Sequence, residues 1–108
     1  MITNSPYQSH LFMNNIQVAI IEDEKPAARL LEGMIKKLRP QWDIIKIPGS
    51  IESSVAWFAF HPHPDIVFLD IQLSDGISFL FIEQACPTSL IIFTTAYDEY
   101  AVRAFTVN

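Results

Sequence analysis

The sequence predicts an α/β fold, a doubly wound parallel sheet with helices on both faces. Short apolar runs rich in β-branched residues recur at Ile16–Ile21, Ile66–Leu69 and Leu90–Phe93. They show little amphipathic alternation, as expected of strands buried on both sides. Between them lie segments with apolar residues at helical spacing. Strand-like and helix-like segments therefore alternate as βαβαβαβα, the order that produces a parallel sheet covered by its own crossover helices.

The elements follow in chain order. Residues 1–15 are polar, aperiodic and contain Pro6, so they read as a flexible N-terminal extension ahead of a domain over 16–108. They carry no Lys or Arg and no sustained apolar stretch, unlike a secretory signal. After the first strand, Glu22-Asp23-Glu24 leads to Pro26, which is tolerated in a first helical turn because its missing N–H has no partner to lose there. Leu30, Leu31, Met34, Ile35 and Leu38 supply a helical apolar pattern, with Glu32 and Lys36 as an i,i+4 pair on the wet side. Gly33 weakens this helix by about 1 kcal/mol relative to Ala. Trp42–Ile47 is a weaker strand carrying Asp43 and Lys46, which suits a sheet edge. Pro48-Gly49 marks a turn and Ser50 an N-cap. Ile51, Val55, Phe58 and Ala59 form one face of the next helix. After His61-Pro62-His63-Pro64 comes the strand that stops at Asp70. A short loop over Ile71–Gly76 precedes a helix containing Phe79, Leu80 and Ile82, which Pro87 ends. Beyond the strand Leu90–Phe93, Asp98 is placed to cap a last helix over Glu99–Phe105.

Composition narrows the function. The 108 residues are half apolar, enough for a single packed core. The net charge is −5, a poor basis for gripping nucleic acid phosphates directly. No apolar run approaches the roughly 20 residues that span a bilayer. The single cysteine, Cys86, cannot form an internal disulfide and suits a reducing, cytoplasmic setting. Beside Pro87 it reads as a small apolar filler, and Trp42 and Trp57 read as core. His61 and His63 lack ligands spaced for a tetrahedral metal site and read as a surface loop.

Chemistry gathers where the strands end. In a doubly wound domain, ligands bind at the carboxyl ends of the strands. Here those ends hold Glu22-Asp23, Asp70 and Thr94-Thr95. Acidic residues at strand ends are often no more than solvated loop residues. Three carboxylates converging with a hydroxyl nearby repel one another unless protons or a cation compensate. Oxygen donors on loops suit Mg²⁺, and a carboxylate such as Asp70 can itself act as a nucleophile and form an acyl phosphate.

The stretches Val18-Ala-Ile-Ile-Glu-Asp-Glu24, Asp65-Ile-Val-Phe-Leu-Asp-Ile-Gln-Leu-Ser-Asp-Gly76 and Ile92-Phe-Thr-Thr-Ala-Tyr97 resemble the receiver domains of bacterial two-component response regulators, the CheY-like superfamily. Asp70–Gly76 and Thr95–Phe105 look most like the LytTR class. The resemblance runs from Ile16 to Asn108. It implies a flavodoxin-like strand order, 2-1-3-4, with the fifth βα unit missing. It also implies that Asp70 is the phosphoacceptor, that Asp23, Glu22, Asp70 and the backbone carbonyl of Gln72 hold Mg²⁺, and that Thr95 is the phosphate-sensing hydroxyl with Ala96 as its small neighbour. The expected partner is a sensor histidine kinase. DNA would be contacted only through a C-terminal LytTR output domain that is absent here. No enzyme activity is expected beyond Mg²⁺-dependent self-phosphorylation and dephosphorylation, and no membrane association.

The chain departs from the family pattern in two places. Ser74 stands where many receivers have Pro, which loosens the loop. The Lys-Pro that ends the family's fifth strand has no counterpart, as expected of a piece of a longer regulator. Without that strand, Leu90–Thr94 is left at the sheet edge, where unpaired backbone groups invite a second copy to pair through the fourth strand and helix. Two rival functions remain in view. A phosphatase of the HAD type also places Asp after a buried strand, but it needs a second Asp where Gln72 stands. A pseudo-receiver that takes no phosphate would keep the fold, and the retention of Glu22, Asp23, Asp70 and Thr95 argues against it.

Overall fold

The computed structural model describes residues 16–94. The N-terminal extension, Thr95, Ala96, the Asp98 cap and the helix expected over Glu99–Phe105 lie outside the described residues. In chain order the elements are β1 (Gln17–Ile21), α1 (Lys25–Leu38), β2 (Asp43–Lys46), α2 (Ile51–Phe60), β3 (Ile66–Asp70), β4 (Gln72–Leu73), β5 (Gly76–Ile77), α3 (Phe79–Ala85) and β6 (Leu90–Thr94). The main sheet is parallel, in the order β2-β1-β3-β6. This is the doubly wound arrangement expected, with β2 at one edge. The Ile71–Gly76 loop contains an unforeseen detail, a small antiparallel ladder pairing Gln72 with Ile77 and Leu73 with Gly76.

Alternation along β1 divides the core. Val18 and Ile20 face α1 and pack with Ile35, Ala28, Leu31, Ile44 and Phe68. Ala19 and Ile21 face the other way, into a larger cluster with Ile51 and Phe58 of α2, Phe81 of α3, and Val67 and Leu69 of β3. A strand flanked on both faces must be apolar at every position, so no period-2 pattern survives in the sequence.

The helices sit as expected but present different faces. In α1 the covered stripe is Ala28, Leu31 and Ile35. Leu30 and Leu38 are 68% and 66% exposed, and Met34 is exposed as well. Those three form a neighbouring stripe that the sheet does not reach. In α2 the inner stripe contains fully buried Ser54 and leaves Ala59 exposed. Ser54 is tolerated there because its hydroxyl donates to the Pro48 carbonyl at 3.0 Å, which removes the cost of an unpaired buried group. In α3 the anchor is Phe81, fully buried, while Phe79 and Leu80 are exposed. Ile82 and Ala85 pack beside Phe81, partly buried.

Polar details fix the ends of the elements. Ser50 caps α2, its Oγ accepting from the Ser53 N–H at 3.1 Å. Glu32 pairs with Lys36 at 3.1 Å and also with Lys46 of β2 at 3.3 Å, which ties α1 to the sheet edge. Gly76 has φ +144°, a backbone conformation that side chains rarely adopt, so glycine is required in this turn. Cys86 is exposed at the C-cap of α3 with φ 46°, which corrects its reading as an apolar filler. Its N–H closes the helix on the Ile82 carbonyl and its Sγ lies 3.5 Å from the Glu83 carbonyl, so the side chain stays at the helix end.

Candidate acidic site at the strand ends

β1 and β3 are adjacent and parallel, with Ile21 opposite Leu69. The residues that follow, Glu22-Asp23 and Asp70, therefore leave the sheet side by side. One carboxylate oxygen from each of Glu22, Asp23 and Asp70 lies within 4.8 Å of the others. On the far side of β3, Asp70 is opposite Thr94 of β6 in the strand register. Glu22 accepts from the Glu24 N–H at 3.0 Å. Asp70 accepts a long bond from the Gln72 N–H at 3.5 Å.

The electrostatics are those of crowded acids, two of which, Glu22 and Asp70, hydrogen-bond each other. Burial pushes the Glu22 carboxyl up to about 6, helped by the negative charges of Asp70 and Asp23 and opposed by the Glu24 N–H. Asp70 is likewise raised, chiefly by burial and further by Asp23, while the Gln72 N–H and a hydrogen bond from the Glu22 carboxyl work against the shift. Among the described residues no Lys or Arg forms an ion pair with any of the three. A set of hard oxygen donors on loops, crowded and lacking a counter-charge, fits a divalent cation such as Mg²⁺.

Two residues that shape this site carried no site signal in the sequence. Gly49 lies directly against the backbone that bears two of the acids. A methyl group added there would stand 2.5 Å from Asp23 Cα, 2.6 Å from Asp23 N and 2.7 Å from Glu22 C. Its place in a Pro-Gly pair had suggested only a turn. Asp75 reaches from the loop after Asp70 to the start of α2. Its Oδ1 accepts from the Ile51 N–H at 2.8 Å and its Oδ2 from the Glu52 N–H at 3.1 Å. These two N–H donors hold its carboxyl below the usual range. A helix cap supplied from so far along the chain leaves no local pattern to detect.

Other singled-out residues stay apart from the acids. His61 stacks on Trp57 with ring centroids 4.2 Å apart, and its Nδ1 lies 2.8 Å from the Trp57 carbonyl. His63 accepts at Nδ1 from the Thr88 N–H at 3.1 Å, so its Nε2, 3.2 Å from the Phe58 carbonyl, is the donor. His61 thus closes the last turn of α2, and His63 ties that helix to the segment ahead of β6. Trp42 and Trp57 are half-buried, not fully core. Among the described residues no helix is long and apolar enough to cross a membrane.

No family model matches the chain. It is 39% identical over 98 residues to an uncharacterised response regulatory protein of Vibrio cholerae, covering 86% of this chain and 37% of that protein. It is 33% identical over 96 residues to the sensory transduction protein LytT of Bacillus cereus, covering 86% and 38%. Against the transcriptional regulatory protein BtsR of Escherichia coli the figures are 38% over 94 residues, covering 83% and 38%. The chain thus spans 37 to 38% of the length of these relatives. Among solved structures, the signal receiver domain of a modulated diguanylate cyclase from Desulfovibrio desulfuricans matches with a TM-score of 0.61 at 28% identity, covering 86% of this chain and 76% of that one. The MaeR response regulator bound to beryllium trifluoride shares the fold, with a TM-score of 0.67 at 22% identity over 85% of this chain and 76% of its own.

Proposed function

The chain is a CheY-like receiver domain of the response-regulator family, and from that premise we propose that it accepts a phosphoryl group on Asp70 and passes its phosphorylated state to an output domain. One observation carries this reading: Glu22, Asp23 and Asp70 converge within 4.8 Å at the end of β3. Asp70 is the nucleophile. One of its carboxylate oxygens bonds to phosphorus, the donor's bond to phosphorus breaks, and an acyl phosphate results. Glu22, Asp23, Asp70 and the Gln72 carbonyl are the residues that would hold Mg²⁺. When bound, Mg²⁺ supplies positive charge that offsets the meeting of two anions. Thr95 is assigned the phosphate-sensing hydroxyl by its match to the family motif.

The donor in this reading is a sensor histidine kinase, as the kinship to response regulators suggests. The output in this reading is DNA binding through a LytTR-type domain, in keeping with a relative named as a transcriptional regulatory protein, BtsR. The domain is cytoplasmic and has no catalytic role beyond its own phosphorylation and dephosphorylation. Two copies associate through β6, which is the sheet edge among the described residues and exposes Leu90 and Ile92.

The experiment is phosphorylation with acetyl phosphate, with and without Mg²⁺, read by intact-protein mass spectrometry. The expected result is a single Mg²⁺-dependent phosphoryl adduct that disappears in Asp70→Asn. An adduct on another residue overturns the assignment of Asp70, and none in the unaltered protein overturns the reading in favour of a pseudo-receiver.

A further inference from the structure

The acidic cluster is built from two separate loops, and the start of α2 touches both. On one side Gly49, just ahead of the helix, packs against the backbone of Glu22 and Asp23 with no room for a Cβ. On the other, Asp75 binds the first two free N–H groups of the helix, those of Ile51 and Glu52, and so anchors the loop that follows Asp70 and carries Gln72. Gly76, next in the chain, stands 3.2 Å from Ile51 Cδ1 as measured from the Cβ position it leaves empty. We propose that Asp75 and Gly49 are positioning residues for the acidic site, a clamp that uses the N-terminus of α2 to hold the Glu22-Asp23 loop and the Asp70–Gln72 loop in register.

Each half of the clamp is specific in its physics. The Asp75 carboxylate is bidentate, so it fixes the orientation of its loop as well as its distance from α2. Gly49 acts by close approach: any side chain there forces the Asp23 backbone and the helix start apart. Apart from the hydrogen bond between Glu22 and Asp70, carboxylates this close repel one another and would spread if their loops were free. A clamp outside the cluster keeps them together without neutralising them. Ser50 is the internal control. Its Oγ bonds to the Ser53 N–H and the Ser53 hydroxyl, and among the described residues it makes no hydrogen bond to the loop after Asp70.

This inference rests on the metal-dependent reading of the site, and its test separates the two. Asp75→Ala, Asp75→Asn, Gly49→Ala and Ser50→Ala are compared in the full chain by Mg²⁺ titration, by urea unfolding and by backbone amide NMR without metal. Asp75→Ala and Gly49→Ala are expected to weaken Mg²⁺ binding by about tenfold, the scale on which supporting residues tune a metal site. Ser50→Ala is expected to leave Mg²⁺ affinity within about twofold, although it too loses unfolding stability. Asp75→Asn, which keeps one acceptor oxygen, should recover part of the affinity. In the metal-free protein, Asp75→Ala should move the amide signals of Glu22, Asp23 and Glu24 across the clamp. If Asp75→Ala and Ser50→Ala affect Mg²⁺ equally, or if those amide signals stay in place, Asp75 is only a helix cap and the clamp is overturned. Amide signals that move in a protein taking up no Mg²⁺ would support the clamp and reject the metal reading.

Discussion

Asp70 and Asp75 occupy the two ends of one short loop, and their surroundings drive them in opposite directions. At Asp70, burial and the neighbouring Asp23 raise the carboxyl. At Asp75, two backbone N–H groups of α2 lower it. The first is crowded by like charge and has no cationic partner among the described residues. The second is satisfied by fixed dipoles at a helix start. A carboxylate of the first kind favours binding something positive, and one of the second kind favours holding structure together. Residue type does not distinguish them; the groups aimed at each one do.

The comparison breaks most plainly at the reactive end. Asp70→Asn should reduce phosphoryl uptake from acetyl phosphate by at least about a hundredfold, since an amide oxygen is no substitute for a nucleophilic carboxylate. Asp75→Asn should still be labelled, more slowly. Intact mass spectrometry reads both. Full labelling of Asp70→Asn would remove the functional half of the contrast.

Packing beneath the loop comes next. Phe81→Ala empties a fully buried position that meets Phe58 edge-on at 5.0 Å, and it should cost about 3–5 kcal/mol in urea unfolding. Ser50→Ala, which removes the local cap of α2, should cost about 1 kcal/mol.

The two kinds of carboxylate also predict opposite pH responses. The Glu22 carboxyl is raised from 4.5 to about 6 in the folded state. Between those values the folded protein binds more protons than the unfolded chain, so metal-free stability rises as pH falls from about 6.5 toward 4.5. Glu22→Gln should flatten that slope, and saturating Mg²⁺ should reverse it. Asp75 is lowered from 3.8, so its contribution is fully present above that value and is lost as pH falls through its lower folded value. In Asp75→Ala the steep acid limb below pH 4 should shrink while the slope near pH 6 persists. Urea midpoints measured across pH 2.5–8 check both.

The smallest expected effect lies on α1. Leu30→Ser alters an exposed position and should stay within about 0.5 kcal/mol. Ile35→Ala, a turn away on the covered stripe, should cost about 2–5 kcal/mol.

Local chemistry wrote much of this molecule into its sequence. β-branched runs with helical segments between them determined the parallel sheet and its two covered faces, because period and propensity are properties of neighbouring residues. Asp43 and Lys46 marked β2 as an edge, and Ser50 marked the start of α2, for the same reason. Glu22, Asp23 and Asp70 were legible as a group because the end of a buried strand is itself a local feature. Tertiary structure alone decided which helical stripe meets the sheet, Ala28–Leu31–Ile35 and not Leu30–Met34–Leu38, since several apolar stripes satisfied the same periodicity. It alone decided that Phe81 anchors α3 and that Ser54 can be buried, given a carbonyl supplied by Pro48. It also decided the parts played by Gly49 and Asp75. A missing Cβ acquires meaning only when another backbone arrives against it, and a distant carboxylate becomes a helix cap only when folding brings it to the open N–H groups of α2.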